Sequence, residues 1–303
     1  MFSTERDFCQ WKLFGFSGSE AKLFECIDST HSQMKRQAAA GLIPPGALFV
    51  ANQQDAGRGR HERTWESPAN KNLYFNILIP LDGIPLSKAP QVTQVAALTF
   101  AEVFRSIAED SALPDSQHKT SAEQVQSNHI TVKWPNDILY GKSKFCGILA
   151  EVVYIPGNAC ANGTNFPPRP AVNMGVGVNV NGDPSEYASL NRAVTTLKEI
   201  SGGRKINRER LLQALIASLE RAIGQFRAFG ISPWVESWRK MDQFIGARGT
   251  IIVNNRCTDE NRNSGEGSIK KTGCILDMQP DGSLLFKADD GTVETVYSAD
   301  LEI

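Results

Sequence analysis

Three arginines and two glycines fall within nine residues of this 303-residue chain, as Gly57-Arg58-Gly59-Arg60-His61-Glu62-Arg63-Thr64-Trp65. Glycines let backbone amides approach a ligand, and guanidiniums supply forked donors suited to carboxylate or phosphate. Such a stretch holds an anion or is a solvated basic loop. No GxxxxGK[ST] phosphate loop occurs in the chain, and the glycines do not follow the GxGxxG fingerprint, which opens a helix. A second stretch runs from Lys133-Trp134-Pro135-Asn136-Asp137 to Lys144, Gly147, Ile148, Leu149 and Glu151. A lysine near a phosphate offsets developing charge, and a neighbouring carboxylate accepts a proton. Taken alone, Pro-Asn-Asp also fits an ordinary turn and Lys144 a surface cation. The third stretch, Gly175-Val176-Gly177-Val178-Asn179, puts glycines inside a strand, where they mark a close approach to the backbone or a bulge. The four histidines, His31, His61, His118 and His129, are dispersed and read as polar surface or loop residues.

Regular elements must position these residues. Residues 47–51 read as a buried strand leading into the arginine stretch. Before it lies a short helix that Asp28, Ser29 or Thr30 caps and Gly41 ends. Residues 72–80 read as an apolar strand ended by Pro80, residues 91–113 as a helix and residues 114–128 as a polar loop. Two strands, 129–134 and 144–155, flank a turn over 135–143, and 171–180 form another strand. Helical spacing puts Leu212, Leu215, Leu219, Ile223 and Phe226 on one core-facing stripe. From about residue 245 short strands alternate with the turns Pro280-Asp281-Gly282 and Asp289-Asp290-Gly291, as in a small β domain.

The composition bounds the possibilities. With 41% hydrophobic residues the chain builds a packed core. Its net charge of −1 gives no global pull toward nucleic acid or an anionic membrane, so any anion site is local. The six cysteines form no CxxC pair and no cluster with histidine, against a zinc site or a disulfide scaffold and in favour of a reducing compartment. No long apolar span and no secretory or Arg-rich leader stands out, so the expected location is cytoplasmic.

In order and spacing these stretches resemble the biotin protein ligases, which attach biotin to a lysine of a carrier domain. The family's GRGRxxRxW stands at residues 57–65, its KWPND at 133–137, its KxxGILxE at 144–151 and its GxGxN at 175–179. Its DSTN stands as Asp28-Ser29-Thr30-His31, and residues 237–251 look like its passage into a C-terminal domain. The resemblance covers about residues 24–303. It implies an α/β (α+β) fold: a class II synthetase-like catalytic domain on a mixed sheet, then a small SH3-like β-barrel. The expected division is an N-terminal extension 1–23, a catalytic domain 24–244 and a C-terminal domain 245–303.

The implied reaction has two halves: biotin and ATP give biotinyl-5′-AMP and pyrophosphate, then a carrier lysine takes the biotinyl group. By resemblance Ser29, Thr30, Gln54, Gly57 and Arg58 hold biotin, in a pocket completed by Gly147, Leu149, Gly175 and Gly177. Arg60, Arg63, Trp65, Asn136 and Asn179 surround the AMP portion, with Trp65 near adenine. Lys144 bridges carboxylate and phosphate, Arg60 joins it in catalysis, and Asp137 orients or deprotonates the incoming lysine; Lys133 supports the turn. ATP and Mg²⁺ are the implied cofactors, with no metal ligand named by the sequence. The implied partner is the carrier domain of a biotin-dependent carboxylase such as acetyl-CoA carboxylase, with no nucleic acid or membrane; monomer and homodimer stay open.

Three competing readings fare less well. Lipoate- or octanoyl-transferring enzymes of the same fold lack these arginine and KWPND motifs. The segment before residue 24 is too short for the winged helix-turn-helix of the family's repressors. A non-catalytic biotin-binding module would not need Lys144. His31 in place of the family's asparagine, and Glu62 where many members have glycine, are departures. Residues 114–128, 156–170 and 254–268 read as insertions.

Overall fold

Strand Ala21–Ile27 (β1) pairs in parallel with strand Leu48–Gln54 (β2). Parallel neighbours need a crossover, and helix Thr30–Ala39 (α1) supplies it. The Ser29 side chain caps α1, and Gly41, at φ +67°, ends it. The computed structural model describes residues 5–19, 21–61, 63–110, 130–157, 167–190, 193–254, 268–297 and 299–302. Antiparallel strands extend the sheet: Leu73–Pro80 (β3), Ile130–Lys133 (β4), Asp137–Tyr140 (β5), Ser143–Ile155 (β6) and Arg169–Val178 (β7). Their order is β1-β2-β3-β7-β6-β5-β4. The stretch expected to be a turn over 135–143 thus contains a strand, β5, because Ile138 and Leu139 find buried places between β4 and β6.

The pleat sends alternate residues of each strand to opposite faces. Phe75, Ile77, Val172, Met174 and Val176 pack with helices Ala89–Asp110 (α2) and Arg208–Phe229 (α4) in the main core. On the other face Leu78, Val153, Ile155 and Ala171 pack beneath Met34 and Ala38 of α1. The stripe expected on α4 is buried throughout. Phe8, Trp11, Leu13 and Phe16 join the main core, and Arg6 pairs with Glu209 of α4. A short helix, Leu197–Ile200 (α3), and a longer one, Ser232–Met241 (α5), complete the helical set.

The expected β region is a five-stranded antiparallel sheet of Arg248–Asn254 (β8), Ser268–Met278 (β9), Leu284–Ala288 (β10), Val293–Val296 (β11) and Asp300–Glu302 (β12). Its order is β11-β10-β9-β8-β12. The two sheets are fastened at the Pro280-Asp281-Gly282 turn: the Gly282 carbonyl accepts from Trp134 Nε1 at 3.1 Å and Gln94 Nε2 at 2.6 Å. Arg239 of α5 grips Asp277 of β9 at 2.7 Å. Residues 114–128, 158–166 and 255–267, and with them most of the expected insertions, lie outside the described residues, as does Glu62. No helix among the described residues is long and apolar enough to cross a membrane.

Candidate functional site

Register and alternation together build a floor. Asp137 pairs with Gly147, Gly147 with Gly177 and Gly177 with Tyr74, which lines up four residues across β5, β6, β7 and β3. The next row on this face is Leu149, Gly175 and Asn76. Glycines at the centre leave a shallow, side-chain-free surface just beyond the N-terminus of α1. The Trp65 indole lies on it: a Cβ at Gly177 would come within 2.3 Å of Trp65 Cε2, and one at Gly147 within 2.9 Å of Cζ3. Trp65 Nε1 is buried without a hydrogen-bond partner. In this arrangement the Trp65 ring covers the glycine floor.

Polar groups ring the floor at the start of α1. The Thr30 amide donates to Gln54 Oε1 at 2.9 Å, and Gln54 Nε2 donates to Ser67 Oγ at 2.9 Å. The Thr30 hydroxyl donates to Asn76 Oδ1 at 2.8 Å. Ser29 and Thr30 are buried, and so is His31, against the expectation that it sits at the surface. Its position near the start of α1 faces inward, where Asn76 and Glu151 engage its ring.

The arginine stretch folds into a narrow hairpin. Arg58 bridges to Thr64, Trp65 N–H donates to the Gly57 carbonyl at 2.9 Å and Gly59 N–H to the Arg63 carbonyl at 2.7 Å. The hairpin itself requires glycine at 57: a Cβ there would lie 2.3 Å from the Trp65 carbonyl oxygen. Three basic side chains of the hairpin converge on Asp300 of β12. Arg60 lies 3.4 Å, His61 3.2 Å and Arg63 3.2 Å from its carboxylate. Arg60 also donates to the Ala299 carbonyl and to Asn136 Oδ1, each at 3.2 Å. Asn136 in turn donates to the Ile148 carbonyl at 2.7 Å, which ties hairpin, turn and floor together.

Lys144 Nζ donates to Asp137 Oδ1 at 2.6 Å and lies 5.5 Å from the Trp65 ring centroid. Burial pushes the Lys133 ammonium below its ordinary pKa, opposed by Asp137. Behind it Asp242, at the end of α5, accepts from Trp238 Nε1 and Phe244 N–H; burial lifts its carboxyl to about 6.

The resulting cleft opens to solvent and, with the Trp65 ring on its floor, leaves a free cavity of only about 80 Å³. Among the expected site residues, Ser29, Thr30, Gln54, Arg58, Arg60, Arg63, Trp65, Asn136, Asp137, Lys144, Gly147, Leu149, Gly175 and Gly177 line it. Asn179 does not: its amide reaches the Thr195 carbonyl at 3.4 Å and its N–H donates to the Phe145 carbonyl at 2.8 Å, closing the end of β7. His31, Asn76 and Asp300 line the cleft without having been expected there. The first replaces a motif asparagine, and Asp300 lies more than two hundred residues from the arginines it holds. Among the described residues no three of His, Cys, Asp and Glu gather as a metal site. The carboxylates facing the cleft, Asp137 and Asp300, are each paired with cations. Such a donor set suits a divalent ion that arrives on a ligand's phosphates and keeps its waters, rather than one caged by protein.

Residues 23–163 match the sequence model of the Biotin/lipoate A/B protein ligase family. Over 281 residues the chain is 27% identical to the bifunctional ligase/repressor BirA of Bacillus subtilis (strain 168), a match covering 93% of this chain and 73% of that protein. It is 26% identical over 263 residues to a biotin–(acetyl-CoA-carboxylase) ligase of Paracoccus denitrificans, covering 86% of this chain and 95% of that one. Its fold is similar to that of a biotin protein ligase from Aquifex aeolicus in complex with biotin and ATP, at a TM-score of 0.65 and 22% identity over 93% and 97% of the two chains.

Proposed function

We propose that the chain, whose residues 23–163 match the Biotin/lipoate A/B protein ligase family model, is an ATP-dependent biotin protein ligase. The observation that carries this reading is the convergence of Lys144 and the arginine hairpin over a glycine floor at the N-terminus of α1. A carboxylate and an α-phosphate are both anions and must meet at bonding distance; local cations and a positive helix end make that possible.

In the first half-reaction a carboxylate oxygen of biotin attacks the α-phosphorus of ATP, and the bond to pyrophosphate breaks. Lys144 offsets charge on the carboxylate and phosphate oxygens, with Arg58 and Arg60 on the side of the hairpin. Thr30 and Gln54 hold the head of biotin, and Gly175 and Gly177 leave room for its body. To admit it the Trp65 indole leaves the floor and packs against the nucleotide, with Arg63 near the phosphate. In the second half-reaction the carrier lysine amine attacks the acyl carbon, the bond to AMP breaks, and Asp137 takes the proton. The hairpin, held by Asp300 and Asn136, excludes water from the mixed anhydride meanwhile. A Mg²⁺ ion, if held by the ATP phosphates and its own waters beside Asp137 and Asp300, would supply further charge neutralisation.

The carrier is the biotin-carrier domain of a carboxylase. The proposed compartment is the cytoplasm, in keeping with the free thiols of Cys9, Cys26, Cys146 and Cys274. Pyrophosphate release with biotin, lipoate or octanoate as the acid tests the reading. Biotin alone should support turnover at micromolar concentration; equal or better turnover with lipoate or octanoate would contradict it.

A further inference from the structure

His31 is the second residue of α1, and its side chain is 4% exposed. Its ring borders the cleft: a Cβ on Gly175 would stand 3.2 Å from His31 Nδ1. Nδ1 lies 3.2 Å from Asn76 Nδ2, and Nε2 lies 3.2 Å from Glu151 Oε2. Lys35 holds the other oxygen of Glu151 at 2.5 Å.

The donors and acceptors around the ring fit in one sense only. The backbone carbonyl of His31 can only accept, and Asn173 Nδ2 donates to it at 3.0 Å. That leaves Asn173 Oδ1 to accept from Asn76 Nδ2 at 2.7 Å. The amide of Asn76 is thereby oriented: its Oδ1 takes the Thr30 proton at 2.8 Å, and its second N–H points at His31 Nδ1. A ring nitrogen that faces an N–H must offer a lone pair, so His31 is neutral and carries its proton on Nε2, donating to Glu151. The Thr30 hydroxyl has two acceptors for its one proton, Asn76 Oδ1 at 2.8 Å and Gln54 Oε1 at 3.0 Å, and is left with lone pairs to offer a ligand.

We propose that His31 is a positioning residue: its neutral Nε2–H form holds Asn76 and Thr30 in the orientation that binds the head of the ligand, and protonation at Nδ1 breaks that orientation. A proton on Nδ1 would face the Asn76 amide hydrogens and force that amide to turn, which takes the acceptor away from the Thr30 hydroxyl. Charged groups around the ring are Glu151 on β6, Lys35 on α1 and Arg58 on the hairpin; β3 and β7 present the uncharged Asn76 and Asn173. Burial lowers the imidazole below its ordinary value of 6.5, with Glu151 acting against it and Arg58 and Lys35 with it. Ligand affinity is accordingly constant above that depressed pKa and falls by up to tenfold per pH unit below it.

The identity of the ligand rests on the biotin reading, but the tautomer does not. Two-bond ¹H–¹⁵N spectra of the ¹⁵N-histidine-labelled chain, with His31→Asn to assign the signal, report the tautomer without any ligand. Calorimetric titration with biotin from pH 5 to 8 on wild type and His31→Asn reports its consequence. We expect a neutral Nε2–H ring at pH 7, wild-type affinity that falls with acid in step with protonation of the His31 ring in the same spectra, and a His31→Asn profile flat within twofold. An Nδ1–H or charged ring at pH 7 would overturn the proposal whether or not the variant folds. The same acid profile in both proteins would overturn it too. Failure of wild type to bind biotin at any pH would instead refute the ligase reading, and the ligand half of this proposal with it.

Discussion

Removing the charge of Asp300 while keeping its shape, as Asp300→Asn, should shorten the lifetime of the bound adenylate. The side chain is 12% exposed and meets Arg60, His61 and Arg63, but these contacts are unequal. Arg63 is 59% exposed and contributes a fraction of a kcal/mol at most. Arg60, at 21% exposure, makes the contact that counts, an ion pair at 3.4 Å worth about 1 kcal/mol. Arg60 keeps Asn136 and the Ala299 carbonyl, so the hairpin loosens without collapsing. The expected loss is about 1 kcal/mol, or roughly a five-fold faster escape of biotinyl-AMP. The enzyme would be loaded with biotin and labelled ATP, diluted rapidly, and the retained label followed with time. Retention within twofold of wild type, in a variant with unchanged circular dichroism and melting temperature, would refute Asp300 as the anchor of the hairpin.

Lys144→Ala should slow adenylate formation about a hundred-fold or more while biotin binding falls less, read by pyrophosphate release beside calorimetry. Arg60→Gly should weaken adenylate retention about ten- to a hundred-fold, and a streptavidin blot should show bystander proteins labelled by the escaped anhydride. In Gly177→Ala the added methyl stands where Trp65 and the ligand both pass, 2.3 Å from the ring. Overpacking of about 1–3 kcal/mol should weaken biotin binding at least five-fold in a calorimetric titration. Asp242 holds a proton up to about pH 6 in the native state against 3.8 unfolded. Native protein then binds more protons across that window, and this group's contribution falls as pH rises through it. Urea unfolding should therefore show the stability gap between wild type and Asp242→Ala narrowing between pH 4 and pH 6 by about 2 kcal/mol.

Much of the cleft was legible because its residues are local in sequence. Gly175 and Gly177 are two apart, so any strand through them aims both at one face, and Gly147 and Leu149 follow the same rule. The Ser29 cap and the α4 stripe likewise depend on spacing alone. What the sequence hid depends on register or on distant chain. Asp137–Tyr140 reads as turn from Pro135, Asn136 and Asp137, yet pairing with β4 and β6 makes it a strand. Asp300 sits in a short C-terminal strand, and only the docking of the second sheet brings it to Arg60. Asn179 carries a motif position but spends its amide on the Thr195 carbonyl. His31 looked like a scattered polar residue because burial at the second position of α1 follows from the crossover and not from its neighbours.

The central claim is that one chain makes the mixed anhydride and passes its acyl group to a protein lysine. The direct test is intact-mass spectrometry of an isolated biotin-carrier domain after incubation with the chain, biotin and ATP, with labelled biotinyl-AMP followed in the same samples. The account predicts a transient adenylate and one biotinyl group on the carrier, both dependent on ATP and both lost in Lys144→Ala. Adenylate without carrier modification, or neither product from a folded chain that binds biotin, would contradict it.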